Sequence, residues 1–243
     1  MTYVQVIRHL DEQDLAKRAA IRLLDKLIEL QHQQQTANVC LTGGRTAMMM
    51  YVELGRIMAD SPLRPDRLEL WWGDEHFVPT THPDLQAAMT LATLARRFPI
   101  DASRTHPMPG PEGQLDPEAA AEAYAKELDD TRFDICVLSI GAEGQTGSLY
   151  RNHPAMEVTA VNVVAVADAP QPPSERISLT TSMLSSSNQV WFLASGRRKS
   201  SWVRAALSGD ESLPATRING REATVWMVDR DAAFGMPYFE CSL

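Results

Sequence analysis

The sequence has few cysteines, and none of its apolar runs is long enough to cross a membrane. The three cysteines, Cys40, Cys136 and Cys241, lie far apart, and their spacing matches no metal site. The apolar runs around Cys40 and Cys136 predict buried thiols. The first residues also lack the pattern of a secretory signal. We therefore expect a cytosolic protein without a bound metal.

Basic residues are in the minority, and the formal net charge is −8 at pH 7. This balance argues against nucleic acid as a partner, because surfaces that bind nucleic acids are usually basic. It is compatible with an anionic small molecule, since helix ends and local donors can oppose the overall field. With 44% hydrophobic and 22% charged residues the chain can bury a globular core, and we predict a single α/β domain over residues 1–243.

Three widespread site patterns are missing. The glycine-to-lysine spacing of a P-loop does not occur, and neither does the G-x-G-x-x-G fingerprint of a dinucleotide site. Ser148 is not embedded in a G-x-S-x-G elbow, so its surroundings do not support a serine hydrolase. A site in this chain must be built from other loops.

What the chain does contain is an alternation of apolar strand patterns and amphipathic helix patterns. This alternation predicts an α/β fold with a doubly wound, mostly parallel sheet flanked by helices. Asp11 is placed to cap the first helix, and Pro117 suits the first turn of a later one. The predicted strands cover residues 3–8, 38–41, 68–72, 135–140, 158–167, 176–180, 189–194 and 224–228. The predicted helices begin near residues 11, 46, 84, 117, 196 and 229, with a short one between the strands at 176–180 and 189–194.

The most informative segment, residues 133–150, reads FDICVLSIGAEGQTGSLY. Its apolar part shows no alternation, which predicts a central parallel strand that is covered on both faces. Three glycines then mark a loop that turns tightly or approaches a ligand, and a short helix is expected after it. Because ligands of open α/β sheets bind at the carboxyl ends of the strands, Glu143 and Gln145 become candidate site residues.

The loop at residues 41–47 reads LTGGRTA. Backbone N–H groups at Gly43 and Gly44, together with the N-terminus of the following helix, can hold an anion. Arg45 would add a guanidinium group, and Thr46 a hydroxyl group or a helix cap. The alternative interpretation is a tight turn before a capped helix.

The loop at residues 72–79 reads WGDEHFVP. Asp74, Glu75 and His76 could position water, exchange protons or contact a phosphate, and the alternative is a solvated loop. Three consecutive side chains cannot all face one ligand, so at least one of them is expected to be structural. A metal site is not expected here, because no ligand pattern surrounds His76.

Residues 196–199 read GRRK and follow a buried strand at the start of a helix. Arg197 or Lys199 could reach a phosphate there, and a solvated basic turn is the alternative. We predict that this turn and the three loops converge into one pocket that binds an anionic sugar.

Taken together, these loops resemble the motifs of the 6-phosphogluconolactonase family, whose fold is shared with glucosamine-6-phosphate deaminases. The matching segments keep their order along the chain and comprise residues 41–47, 72–79, 141–150, 153–155, 176–180, 196–199 and 213–215. The resemblance implies hydrolysis of 6-phospho-D-glucono-1,5-lactone to 6-phosphogluconate in the pentose phosphate pathway, with no cofactor and no metal. It also implies that the first loop and Lys199 hold the phosphate and that Asp74 lines the sugar site.

The chain departs from the family pattern at positions that matter for catalysis. Gln145 stands where the family carries its proposed catalytic histidine, and His76 stands where it carries an arginine. A glutamine amide does not titrate near neutral pH and cannot act as a base. The resemblance therefore implies a reduced rate, with Glu143 or His76 replacing the base. Arg45, which stands in place of a serine, is expected to restore the positive charge lost at position 76.

Two other functions remain open at this point. One is a catalytically silent relative that binds or senses sugar phosphates, since the phosphate loops are kept and the usual base is absent. The other is a different sugar-phosphate enzyme, such as a deaminase or an isomerase.

Overall fold

The computed structural model describes residues 3–237, so Cys241 lies outside the described residues. Its main sheet has seven strands, and all of their pairings are parallel. In order across the sheet these are β1 (Tyr3–His9), β10 (Ala223–Asp229), β9 (Gln189–Ala194), β6 (Ile135–Ser139), β2 (Ala37–Leu41), β3 (Leu68–Trp72) and β5 (Thr105–His106). The strand predicted from the unbroken apolar run, β6, lies in the middle.

The side chains of β6 alternate between two cores, one on each face of the sheet. Ile135 and Val137 pack into one core, whereas Cys136 and Leu138 pack into the other. Successive side chains of a strand point to opposite faces. An apolar run without alternation therefore has both of its faces covered, as the sequence predicted.

Helices cover both faces of the main sheet, which confirms the predicted doubly wound α/β fold. The helices are α1 (Glu12–Gln33), α2 (Arg45–Met58), α3 (Gln86–Leu94), α4 (Pro117–Leu128), α5 (Thr181–Ser185), α6 (Ser200–Leu207) and α7 (Pro214–Arg217). The first three pack on the face that buries Ile135, and the other four pack on the opposite face. Short 3-10 helices lie at Pro65–Arg67, Ala102–Arg104, Glu112–Gln114, Pro154–Glu157 and Arg197–Lys199. Within residues 3–237, no helix combines the length and the apolar character needed to span a bilayer.

Two helix starts form as their sequence signals predicted. The Asp11 side chain accepts a hydrogen bond from the backbone N–H of Asp14 and caps α1. Pro117 occupies the first turn of α4, and Asp116 caps that helix.

A second, smaller sheet was not predicted. It is antiparallel and contains β4 (Asp74–His76), β8 (Arg176–Leu179) and β7 (Val163–Val166), in the order β4-β8-β7. The expected loop at residues 72–79 thus contains a strand, and the strand predicted at 176–180 belongs to this sheet. A strand of three residues is too short to show a period of two, and its pairing partner lies far along the chain.

The segment that follows β6 does not form the predicted helix. It folds back on itself through isolated bridges from Thr146 to Ile140 and to Leu149. Gly144 and Gly147 adopt φ values of +80° and +57°, which turn the backbone out of any helical path.

Three other elements differ from the sequence prediction. Helix α3 begins at Gln86 rather than at Asp84, because a carboxylate from β4 caps it. The strand predicted at 158–167 is shortened to β7. The helix predicted at 229–234 is a series of turns, in which the Asp229 carboxylate accepts hydrogen bonds from the N–H groups of Ala232 and Gly196.

Candidate active site

A cleft of about 360 Å³ opens at the carboxyl edge of the main sheet. Segments that follow β2, β3, β6 and β9 form its walls together with β8 of the smaller sheet. Loops that are distant in the sequence meet here because parallel strands present their carboxyl ends along one edge. The predicted site residues that line the cleft are Gly43, Gly44, Asp74, His76, Gln145 and Lys199.

The N-terminus of α2 opens on this cleft through two glycines. Gly44 is the N-cap residue and has φ +95°, a conformation that other residues rarely adopt. Gly44 has no side chain that could cap the helix, so the N–H groups of its first turn keep their capacity to bind an anion. Gly43 lies so close to Gln86 that a β-carbon at this position would overlap the Gln86 amide. Gly44 is thus favoured by its backbone conformation, whereas a side chain at Gly43 would displace the end of the Gln86 side chain.

Arg45 and Thr46, in the first turn of α2, point away from the cleft toward α1. Arg45 forms an ion pair with Glu12 at 2.7 Å, and 81% of its side chain is exposed. The Thr46 hydroxyl donates to the same carboxylate at 2.8 Å. The expectation that Arg45 restores a positive charge beside position 76 is therefore not supported, since its charge is paired outside the cleft.

The three polar residues of β4 divide between two faces because strand side chains alternate. Asp74 and His76 line the cleft. Glu75 points the other way, where its carboxylate accepts hydrogen bonds from the backbone N–H groups of His76, Gln86 and Ala87 at 2.9, 3.0 and 2.8 Å. Glu75 is thus the structural member of the three, and it fixes the start of α3 against the cleft wall.

Asp74 is almost fully buried at the bottom of the cleft. The Ser148 hydroxyl donates to its carboxylate at 2.8 Å. Burial raises the pKa of Asp74, while the Ser148 hydrogen bond and the charge of Arg176 act in the opposite direction. Asp74 is therefore held in place by a neutral donor and lies within the field of a cation.

His76 directly opposes Arg176 in the antiparallel pairing of β4 with β8. Burial lowers the pKa of His76, and the charge of Arg176 lowers it further, whereas Asp74 and Asp84 act in the opposite direction. The Nδ1 atom of His76 is buried and has no hydrogen-bond partner among the described residues. Burial and the neighbouring cation thus disfavour the protonated form of the imidazole next to the cleft.

Arg176, like Asp84 and Gln86, lines the cleft without having been among the predicted site residues. Only 7% of it is exposed, and it lines the cleft. Its Nε and Nη2 atoms donate to the carbonyl oxygens of Pro173 and Gln171, at 3.1 and 2.9 Å. Within residues 3–237, no carboxylate forms an ion pair with it. A buried guanidinium without an anionic partner is costly unless a ligand supplies the charge.

Gln145 reaches the cleft from the glycine-rich loop after β6. Its Oε1 atom accepts a hydrogen bond from the backbone N–H of Glu143 at 3.0 Å, which leaves its Nε2 group as a donor. A β-carbon at Gly141 would overlap the Gln145 amide, so this glycine makes room for it. The Glu143 side chain is exposed and does not line the cleft. The loop therefore presents an amide donor to the cleft rather than a carboxylate.

The two cations predicted on the turn after β9 separate. Lys199 lines the cleft, and burial lowers the pKa of its ammonium group. Within the described chain it has no ion-pair partner at close range. Arg197 instead places its guanidinium carbon 3.0 Å from the ring centroid of Phe234, outside the cleft. Among residues 3–237, no group of His, Cys, Asp and Glu side chains is arranged to hold a metal ion.

Comparison with known proteins gives the family. Residues 10–226 match the family model described as glucosamine-6-phosphate isomerases/6-phosphogluconolactonase. The chain belongs to this family. It is similar to the 6-phosphogluconolactonase of Streptomyces coelicolor, with 35% identity over 96% of this chain and 95% of the relative. The 6-phosphogluconolactonase of Homo sapiens is 32% identical over 79% of this chain and 78% of the relative.

Solved structures of the family have the same fold. A 6-phosphogluconolactonase from Trypanosoma cruzi superposes with a TM-score of 0.85 at 21% identity, over 98% of this chain and 99% of that one. A monomeric glucosamine-6-phosphate deaminase of the NagB superfamily superposes with a TM-score of 0.79 at 22% identity, over 94% and 98%. Both likenesses establish the glucosamine-6-phosphate deaminase-like fold that the sequence predicted.

A signal for Arg176 did exist in the sequence. Its segment, residues 176–180, resembles a family segment, and it begins with a cation directly before apolar residues. The sequence could not show that this cation lies opposite His76, because that neighbourhood depends on the pairing of β4 with β8.

Proposed function

We propose that this protein hydrolyses 6-phospho-D-glucono-1,5-lactone to 6-phosphogluconate. The similarity to curated 6-phosphogluconolactonases over most of the chain supports this reaction. The structural observation that carries the proposal is the buried Arg176, which lines the cleft without a carboxylate partner in the described chain. Lys199 is a second cation of the cleft, so two positive side chains are available to an anionic ligand although the chain as a whole is negative.

The phosphate group of the substrate binds at the N-terminus of α2. Gly43 and Gly44 allow close approach to the uncapped first turn, and Lys199 lies in the same cleft. Binding energy from the phosphate then orients the lactone ring over the other groups of the cleft. Arg176 lies directly opposite His76 and lines the same cleft, so we assign it to the sugar part of the substrate and its developing charge.

Gln145 serves the reaction as a hydrogen-bond donor. Attack of water on the lactone carbonyl creates negative charge on its oxygen, and a fixed donor stabilises that charge. The Nε2 group of Gln145 is available for this, since the Oε1 atom is already bonded to the Glu143 backbone. A hydrolysis of this kind requires no cofactor. The proposed substrate belongs to the pentose phosphate pathway, and we propose a cytoplasmic location accordingly.

Loss of the lactone in the presence of the protein, compared with its spontaneous loss, tests the function directly. Lys199→Met is expected to weaken binding of 6-phosphogluconate about tenfold to a hundredfold, because one charge-assisted contact is removed. Arg198→Met is the matched control, since Arg198 is exposed on the same turn and does not line the cleft. An equal loss of affinity for 6-phosphogluconate in the two variants would contradict the assigned phosphate site.

The same measurements separate the alternatives. A silent relative is compatible with the non-titrating Gln145, and it would bind 6-phosphogluconate without accelerating loss of the lactone. A deaminase would release ammonia from glucosamine 6-phosphate and leave the lactone at its spontaneous rate.

A further inference from the structure

Hydrolysis of a lactone requires a group that takes a proton from the attacking water. Among the described residues that line the cleft, Asp74, Asp84 and His76 have side chains that can accept a proton. Gln145 cannot, because an amide does not titrate in this range. Glu143, the other candidate from the sequence, does not line the cleft.

The two carboxylates are less suited to this role. Asp74 is 5% exposed, and its carboxylate already accepts the hydroxyl hydrogen of Ser148, which fixes it at the cleft bottom. Asp84 is exposed in the segment before α3, where water screens it and competes for it. Neither carboxylate combines access to the ligand with shelter from bulk water.

His76 combines both properties. It is half-buried on β4, lines the cleft and shares a strand face with Asp74. The charged groups around it come from three elements: Asp74 on its own strand, Arg176 directly opposite on β8, and Asp84 before α3. Burial and the charge of Arg176 both disfavour protonation of the ring, and the neutral ring can accept a proton.

We propose that the imidazole of His76 is the general base of this cleft and takes the proton of the water that attacks the lactone carbonyl. This assignment rests on the lactonase function proposed above. It places the base on β4, in the cleft that the Gln145 side chain also lines.

His76 alone can carry the proton that is transferred during the reaction. The water oxygen forms a bond to the carbonyl carbon as its proton passes to the imidazole, and the carbonyl oxygen becomes an oxyanion next to the Gln145 Nε2 group. The bond between that carbon and the ring oxygen then breaks. The ring oxygen takes the proton from the imidazolium and becomes a hydroxyl group. The new carboxylic acid releases a proton to solvent, and His76 is neutral again.

The pH dependence of kcat/KM is the first test. Activity should be lost as the pH falls through the pKa of His76, because the protonated ring cannot accept a proton. Burial and Arg176 lower the pKa of His76, so this acidic limb should lie below the ordinary histidine value of 6.5. In His76→Gln the limb should disappear and kcat should fall by about 10² to 10⁴-fold, whereas the Kd for 6-phosphogluconate should change little.

Two further variants distinguish loss of the base from damage to the fold. His32→Gln replaces an exposed histidine of α1 and should retain the wild-type profile. Adding Gln145→His to His76→Gln should restore part of the lost kcat, since it supplies an imidazole from another residue that lines the same cleft. Unchanged 6-phosphogluconate binding in each variant verifies that the cleft is intact.

The outcomes separate this proposal from the proposed function. If the wild-type protein accelerates lactone loss and His76→Gln keeps its kcat and its acidic limb, His76 is not the base and the lactonase function stands. If the wild-type protein binds 6-phosphogluconate without accelerating lactone loss, both proposals are overturned. A limb that vanishes together with kcat, while binding persists, supports both.

Discussion

His76 and Arg176 face each other across the antiparallel pair formed by β4 and β8. This neighbourhood places an imidazole and a buried guanidinium on one wall of the cleft, and the guanidinium contributes to the lowered pKa of His76. On the same strand, Glu75 points to the other side and holds the start of α3. The three residues of β4 thereby line the cleft with Asp74 and His76 and anchor α3 through Glu75.

Glu75 should give the protein a distinct pH dependence of stability. Burial raises its pKa from 4.5 to about 7, so the folded state binds more protons than the unfolded state between these values. The stabilising contribution of Glu75 to the free energy of unfolding is therefore fully present below pH 4.5. It is lost as the pH rises through 7. Between pH 5 and pH 8, the free energy of unfolding of the wild type should fall by about 2 kcal/mol more than that of Glu75→Gln. Urea titrations of the wild type and of Glu75→Gln at both pH values measure this difference. An equal change in the free energy of unfolding for the two proteins would contradict the prediction.

Gly43→Ala should impair the cleft through a clash with one side chain. The new methyl group would overlap the amide of Gln86, which must then move into the cleft. The displaced amide would take up space in the cleft, and a loss of about 1.4 kcal/mol of binding free energy corresponds to a roughly tenfold rise in the Kd for 6-phosphogluconate. The double variant Gly43→Ala/Gln86→Ala should recover most of the affinity, because the clashing group is gone. Equal Kd values for the single and double variants would show that the clash is not the cause.

Arg45→Ala should have little effect on ligand binding. Its side chain is paired with Glu12 and is largely exposed, so the ion pair contributes less than about 1 kcal/mol to stability. We expect the Kd for 6-phosphogluconate to change less than about twofold. Calorimetric titrations of Arg45→Ala and Lys199→Met with 6-phosphogluconate compare the two Kd values. A large loss in Arg45→Ala would instead support the charge compensation expected from the sequence.

Trp202 of α6 should control the order of the loop that carries Gln145. Its indole N–H donates to the carbonyl oxygen of Ala142 at 2.9 Å, and its ring lies against Gly144. Trp202→Phe keeps most of the ring but removes the hydrogen bond, at a cost of about 1 kcal/mol. Amide hydrogen exchange across residues 141–147 should then become faster.

Trp191→Phe is the control for that experiment. It removes a similar indole hydrogen bond, to Gln189 at 3.0 Å, in the core on the other face of the sheet. It should lower stability without changing exchange in the loop. Faster loop exchange in both variants would mean that global stability, rather than the Trp202 contact, is responsible.

Local chemistry was enough to predict much of the fold. The unbroken apolar run of β6 showed that both sheet faces are covered, and the capping signals at Asp11 and Pro117 located two helix starts. These features depend on neighbours a few residues apart, so they can be read along the chain. The same holds for the glycine turns that let Gly44 and Gln145 reach the cleft.

The sequence by itself determined the layered α/β architecture, the loops at the carboxyl edge and the family motifs, because each of these is encoded by consecutive residues. Only the tertiary structure decided which side chains enter the cleft. Arg45 turns to Glu12 and Arg176 enters beside His76, since each of these directions is set by a partner that is remote in sequence, whereas Glu143 turns to solvent. Strand alternation and long-range pairing decide whether a side chain points into the cleft or away from it. Neither is visible in a segment of three residues.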